Sequence, residues 1–214
     1  RFIHKASLKN LQPGTEYMYR VGGGSGYSPQ GIFKTEEESL HEFTFISITD
    51  TQGASEKDYA VWNNTLQTAM KKFPDARFLL HTGDMVDDGE SIWHWNRFMN
   101  AAQKKLMKLP ILPVVGNHEA NNRIGKNVNQ KNFTDSFNLP DAGLEGIARG
   151  TVYSIDYGEA HIAILNTHFT KVSELRTQTA WLREDMNKSD KPWKLVAFHR
   201  SPYGGRCYAD AGIF

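Results

Sequence analysis

The order of strand-like and helix-like stretches from residue 41 onward constrains this chain more than any other feature. Phe43 to Thr49 is a β-branched and aromatic run that ends at Asp50, and Arg77 to His81 is a second that runs into Gly83-Asp84. Ile111 to Val115 leads into Gly116-Asn117-His118-Glu119, and Trp193 to Phe198 delivers His199. Between these runs apolar residues recur at helical spacing. One such stretch carries Tyr59, Trp62, Leu66, Met70 and Phe73 behind a Ser55–Asp58 capping box. A second carries Trp93, Phe98 and Ala102, and a third Leu175, Leu182 and Met186. Thr151–Tyr157 and His161–Asn166 flank Gly158 as a hairpin would. Alternation of this kind predicts helices against a largely parallel sheet. In such folds ligands gather beyond the carboxyl ends of the strands, which is where Asp50, Asp84, Asn117 and His199 all fall.

Composition narrows the function classes. The chain has 214 residues, 39% of them hydrophobic, enough to bury a core without covalent staples. Cys207 is the only cysteine, which excludes an intrachain disulfide and cysteine-rich zinc sites. Lysine and arginine number 25 against 24 acids, a net charge of +1 that argues against a surface for nucleic acid. No apolar run approaches the ~20 residues of a membrane span. The chain opens at Arg1 without a signal-like segment, so a removed signal peptide and missing upstream sequence are both open.

Two carboxylates, an amide oxygen and an imidazole form a mixed oxygen and nitrogen donor set. Oxygen donors suit hard cations, and imidazole suits zinc, iron and related metals. A carboxylate shared between two ions can hold them ~3.5–4 Å apart, as in two-metal hydrolytic sites. Among the other histidines, His81 and His161 read as core or face residues and His94 as helix packing. His168 is a candidate for lining the cleft. Arg200 and Tyr203, beside His199, are candidates for touching a phosphate.

The motifs GDMVD (83–87), GNHE (116–119) and FH (198–199), after a strand ending in Asp50, resemble the calcineurin-type metallophosphoesterase pattern. The run WLREDM…KPWKLVAFHRSPY is similar to the purple acid phosphatase branch. Near the N-terminus, LQPGTEYMYRV resembles the E–F corner of fibronectin type III domains, with Tyr17 as the tyrosine tied to the backbone. The resemblance implies an α/β fold, a layered β-sheet core flanked by helices over residues 41–214 and truncated at its C-terminus. Residues 1–36 would be the end of a fibronectin-like β-sandwich, joined through a solvated Glu36–Ser39 linker.

It also implies a metal-dependent phosphoric ester hydrolase, a phosphomonoesterase acting on small phosphorylated substrates, secreted or at the cell surface. Two metal ions, iron with zinc, manganese or a second iron, would hold the attacking hydroxide, without a phospho-enzyme. Carried over residue by residue, Asp50 resembles a ligand of the first metal, Asp84 the bridging ligand, and Asn117 and His199 ligands of the second. His118 resembles the residue that contacts phosphate and protonates the leaving alcohol.

Three positions depart from the pattern. Asp87 stands where the purple branch has a tyrosine, which removes the source of the ferric–tyrosinate colour; it fits the wider family as a ligand or a partner of one. Gln52 stands where the wider family has a histidine and would be a weaker ligand. No Gly-His-x-His follows His199 before Phe214, so either the chain is partial or the site is incomplete. These departures keep two alternatives open: a non-catalytic binding protein with a vestigial metal site, and a phosphodiesterase or nuclease on the same scaffold.

Overall fold

Aromatic alternation organises the N-terminal segment of the computed structural model, which describes residues 3–122, 124–168 and 171–201. Strand β1 (Glu16–Tyr19) pairs antiparallel with β4 (Gly31–Lys34), so that Tyr17 lies opposite Phe33 and stacks on it with centroids 5.6 Å apart. The short strands β2 (Gly22–Gly23) and β3 (Gly26–Tyr27) form the ribbon between them. The Tyr17 hydroxyl accepts the Gln12 N–H at 2.8 Å, the local tie that the tyrosine-corner resemblance implies. This segment is fastened to the rest of the chain. Lys5 Nζ donates to Thr134 O and Phe137 O, each at 2.6 Å, and the Tyr19 hydroxyl donates to Met107 O at 3.2 Å.

The remaining elements are β5 (Thr44–Ile48), α1 (Glu56–Lys72), β6 (Ala76–His81), α2 (Ile92–Leu106), β7 (Ile111–Pro113), α3 (Asn117–Ala120), α4 (Lys131–Ser136), β8 (Tyr153–Tyr157), β9 (Ala160–Ile164), α5 (Val172–Lys188) and β10 (Trp193–Ala197). They build two three-stranded sheets rather than the one largely parallel sheet that alternation predicts. The first, ordered β5-β6-β7, is parallel throughout. In the second, ordered β10-β9-β8, β10 runs parallel to β9, while β8 and β9 form the antiparallel hairpin around Gly158.

Strand β6 explains the layering. Its period of two sends Phe78 and Leu80 to one face and Leu79 and His81 to the other, and all four are buried. Phe78 and Leu80 join Leu112, Val114, Tyr153, Ile162, Ile164 and Ala197 in the core between the two sheets. Leu79 joins Tyr59, Trp62, Leu66, Trp95 and Phe98 under helices α1 and α2. His81 sits on that same side, against the rings of Trp62 and Phe98.

Helix α1 starts at the predicted capping box, with Ser55 and Asp58 satisfying one another's backbone N–H. Its buried face is shorter than the spacing suggests. Tyr59, Trp62 and Leu66 are buried and Met70 only partly so, while Phe73 caps the helix and stays 45% exposed because it lies past the last turn. No described helix is long and apolar enough to cross a membrane.

Candidate metal centre

Asp50 and Asp84 both follow strands of the first sheet, and both turn the chain through left-handed backbone, at φ 55° and 54°. That conformation is uncommon for residues with a Cβ and is tolerated best by Asp and Asn. Neighbouring strand ends lock the two turns together. Asp50 N–H donates to Gly83 O and Gln52 N–H to Asp84 O, both at 3.0 Å. Gly83, at φ 103°, is needed for space as well as conformation: a Cβ there would come within 2.6 Å of His199 Nδ1. A Cβ on Gly116 would collide with the carboxylate and backbone nitrogen of Asp84.

The structure brings Asp50, Asp84 and His199 together, with one potential ligand atom from each lying within 4.8 Å of the others. His199 comes from the second sheet, just past β10. Its Nδ1 donates to Thr82 O at 2.8 Å, which turns Nε2 toward Asp84 Oδ2 at 3.2 Å and Asn117 Oδ1 at 3.2 Å. An imidazole whose second nitrogen is held by a backbone carbonyl is the usual arrangement of a metal ligand. Burial opposes its protonation, but the Asp84 carboxylate outweighs burial and pushes the His199 pKa up to about 8. Burial also opposes the charge on Asp84, yet His199 and the His118 N–H at 2.9 Å hold that carboxyl below the usual range. These atoms fit divalent or trivalent ions: carboxylate oxygens, an amide oxygen and an aimed imidazole converge on one point.

His118 lies beside this cluster. Its Nδ1 donates to Asp87 O at 2.9 Å, leaving Nε2 3.9 Å from Asp84 Oδ2. Asp87 is thus placed against His118 rather than in the Asp50, Asp84 and His199 cluster, its Oδ1 3.7 Å from His118 Nδ1. The Gln52 side chain lies against the backbone of both turns. With its amide turned to donate, it reaches Asp84 O at 2.9 Å and Asp50 O at 3.2 Å and braces the two turns. Arg200 N–H donates to Thr167 Oγ1 at 2.9 Å. Tyr203 and Cys207 lie outside the described residues.

Sequence reasoning missed the group that holds these loops in place. Glu119 is fully buried, and its carboxylate accepts four backbone N–H groups: Asp84 and Gly116 at 2.8 Å, Met85 at 2.7 Å and Val86 at 3.1 Å. Burial and the nearby Asp84 charge push its pKa up to about 7, while the backbone donors favour the ionised form. The signal was present as an acid three residues after Gly116 at the start of α3, the spacing of a carboxylate that reaches back to cap a helix. Two histidines also buttress the Asp50 turn: His81 Nε2 meets Thr51 Oγ1 at 2.8 Å, and His94 Nδ1 donates to Gly53 O at 2.9 Å.

This geometry has relatives. Residues 43–213 match the calcineurin-like phosphoesterase family, and residues 1–35 match the purple acid phosphatase N-terminal domain. The chain belongs to the calcineurin-like phosphoesterase family, and its resemblance to the purple acid phosphatase branch is borne out. It is 29% identical to acid phosphatase type 7 of Mus musculus, over 94% of this chain and 45% of the relative. It is 25% identical to a purple acid phosphatase of Glycine max, over 97% of this chain and 45% of that relative. The chain therefore spans less than half the length of these curated relatives. The fold matches that of purple acid phosphatase PPD1 from yellow lupin (Lupinus luteus) seeds, with a TM-score of 0.75 at 21% identity over 94% of this chain and 39% of the other. That match bears out the layered α/β fold.

Proposed function

We propose that this chain forms part of a metal-dependent phosphomonoesterase with a two-metal centre. The convergence of Asp50, Asp84 and His199 within 4.8 Å carries this reading, with Asn117 Oδ1 3.2 Å from His199 Nε2. Asp84 would bridge the ions, Asp50 would serve one, and Asn117 and His199 the other. When bound, such a pair acidifies a shared water and neutralises charge on the phosphoryl oxygens. The protein's own work is positional. Glu119 fixes the Asp84 and Asn117 loops, Thr82 O sets the ligating nitrogen of His199, and Gln52 braces the Asp50 turn. His118, with Nδ1 held on Asp87 O, presents Nε2 to the site and would give the leaving alcohol its proton.

Preference for monoesters is supported by relatives named acid phosphatases. The division into a fibronectin-like segment, residues 1–36, and a phosphoesterase unit, residues 41–214, is supported by the Tyr17 tie and the two family matches. Secretion or surface display goes with this reading through the family resemblance alone.

The test is elemental analysis of the purified protein together with hydrolysis of an aryl phosphate before and after chelation. About two metals per chain and turnover that chelation abolishes and metal restores are the expected results. No bound metal and no turnover after supplying iron, zinc or manganese would return the chain to the class of binding proteins.

A further inference from the structure

The two carboxylates of the candidate centre share one unfavourable backbone conformation but are fastened by different means. Asp50 and Asp84 sit at φ 55° and 54°, where a residue with a Cβ persists only if its surroundings enforce it. Glu119 does this for Asp84 by taking the N–H groups of Asp84, Met85 and Val86. The Asp50 turn is pinned to its neighbour through Asp50 N–H on Gly83 O and Gln52 N–H on Asp84 O. Its side-chain tie into the core is Thr51, whose Oγ1 lies 2.8 Å from His81 Nε2.

His81 occupies a position that an apolar side chain would suit better. It ends β6 after Phe78, Leu79 and Leu80, and like them it is buried. Its ring stands nearly perpendicular to those of Trp62 and Phe98, with centroids 5.8 Å away in each case. Burial pushes its pKa down to about 3 against the pull of the Asp84 charge, so the ring is neutral and carries one N–H. Among the described residues Nδ1 has no hydrogen-bond partner. The proton therefore belongs on Nε2, which donates to Thr51 Oγ1, and Nδ1 is left a bare acceptor. A buried polar atom without a partner opposes folding. Packing against two aromatic rings gives no reason to keep such an atom, whereas the bond to the residue after Asp50 does.

We infer that His81 is a positioning residue for the metal ion that Asp50 serves: by anchoring Thr51 it holds the strained turn and aims the Asp50 carboxylate before the ion arrives. The inference rests on the two-metal reading above, in which Asn117 and His199 serve the other ion. Those two ligands have anchors of their own, Glu119 on Gly116 N–H and Thr82 O on His199 Nδ1. Loss of the His81–Thr51 bond therefore falls on one ion of the pair. The orphaned Nδ1 is what the core tolerates in return for a preformed ligand.

The experiment titrates the metal-free protein with zinc, and separately with manganese, by calorimetry, and follows urea unfolding of the same metal-free protein. It compares the native chain with His81→Leu and His81→Gln. Leucine keeps the bulk and loses the bond, while glutamine carries an amide nitrogen about as far from the backbone as Nε2. In His81→Leu one of the two affinities should fall about 10- to 100-fold, with the other nearly unchanged. The urea midpoint should stay level or rise, because a half-satisfied polar group has left the core. His81→Gln should recover most of the lost affinity. If His81→Leu loses its cooperative melt, Thr51→Val and its rescue by Thr51→Ser make the same comparison. Unchanged metal binding in His81→Leu, equal weakening of both ions, or the same loss in the glutamine variant would overturn the positioning role and leave the two-metal centre standing. A native chain that takes up neither metal at a pair of sites would bring down the two-metal reading, and this inference with it.

Discussion

At the scale of single residues, Glu119 shows how a site can depend on a side chain that touches no substrate. Its two oxygens terminate four backbone N–H groups, three from the turn carrying Asp84 and one from Gly116 beside Asn117. A glutamine is the same size but has one acceptor oxygen. In Glu119→Gln two of those donors face an amide nitrogen, at a cost of about 1–3 kcal/mol each. Denaturant unfolding should show a loss of about 2–6 kcal/mol, and calorimetry should show weaker metal binding even though every candidate ligand is intact. The candidate ligands were legible because Asp, Asn and His at strand ends advertise their chemistry. Glu119 was not, because its partners are main-chain groups that sequence does not display. The same applies to Gln52, whose contacts to Asp50 O and Asp84 O are likewise to main-chain groups.

At the scale of elements, strand existence was readable and strand partnership was not. Hydrophobic alternation marks a buried strand but does not say which neighbour it joins. Thus β8, β9 and β10 form their own sheet instead of extending the first. Helix α5 is held to that second sheet by a polar device with no apolar period to betray it. His161 on β9 contacts Asp156 Oδ1 through Nδ1 at 2.6 Å and Asp185 Oδ2 through Nε2 at 2.8 Å. Ser154 donates to the other Asp185 oxygen at 2.9 Å. Both carboxylates accept, so both ring nitrogens donate and the ring is an imidazolium. Burial works against that charge, but the bonds to Asp156 and Asp185 prevail and raise the His161 pKa above 6.5. A raised folded-state value means that the stabilisation is complete below the unfolded pKa and fades as pH rises through the folded one. His161→Gln should therefore destabilise most near pH 6 and least near pH 9, by about those limits of titration. Urea midpoints of both proteins across that interval give the check. A pH-independent difference would mean that the ring acts by packing alone.

At the scale of the whole molecule, the candidate centre lies on the seam between the two sheets. Asp50, Asp84 and Asn117 leave the ends of β5, β6 and β7, whereas His199 leaves β10 of the other sheet. The protein itself crosses that seam near the site through His199, on Thr82 O at 2.8 Å and Asp84 Oδ2 at 3.2 Å. A larger cleft of about 680 Å³ sits at the opposite ends of the strands, lined by Phe43, Arg77, Glu159 and Trp193, with none of the metal-site residues among its lining. Volume alone would have pointed there, and donor chemistry points to the seam. Metal ions bound at the seam would tie one sheet to the other, and a ligand that binds only the folded chain stabilises it by mass action. At free metal about 100-fold above the dissociation constant, one site contributes about 2.7 kcal/mol. In a domain of this size that corresponds to roughly 5–10 °C in Tm. Calorimetric scans with metal and with chelator should differ by this amount or more. In Asp84→Asn, which weakens the shared ligand, the difference should shrink toward zero. The same melting point with and without metal in the native chain would show that no ion bridges the seam.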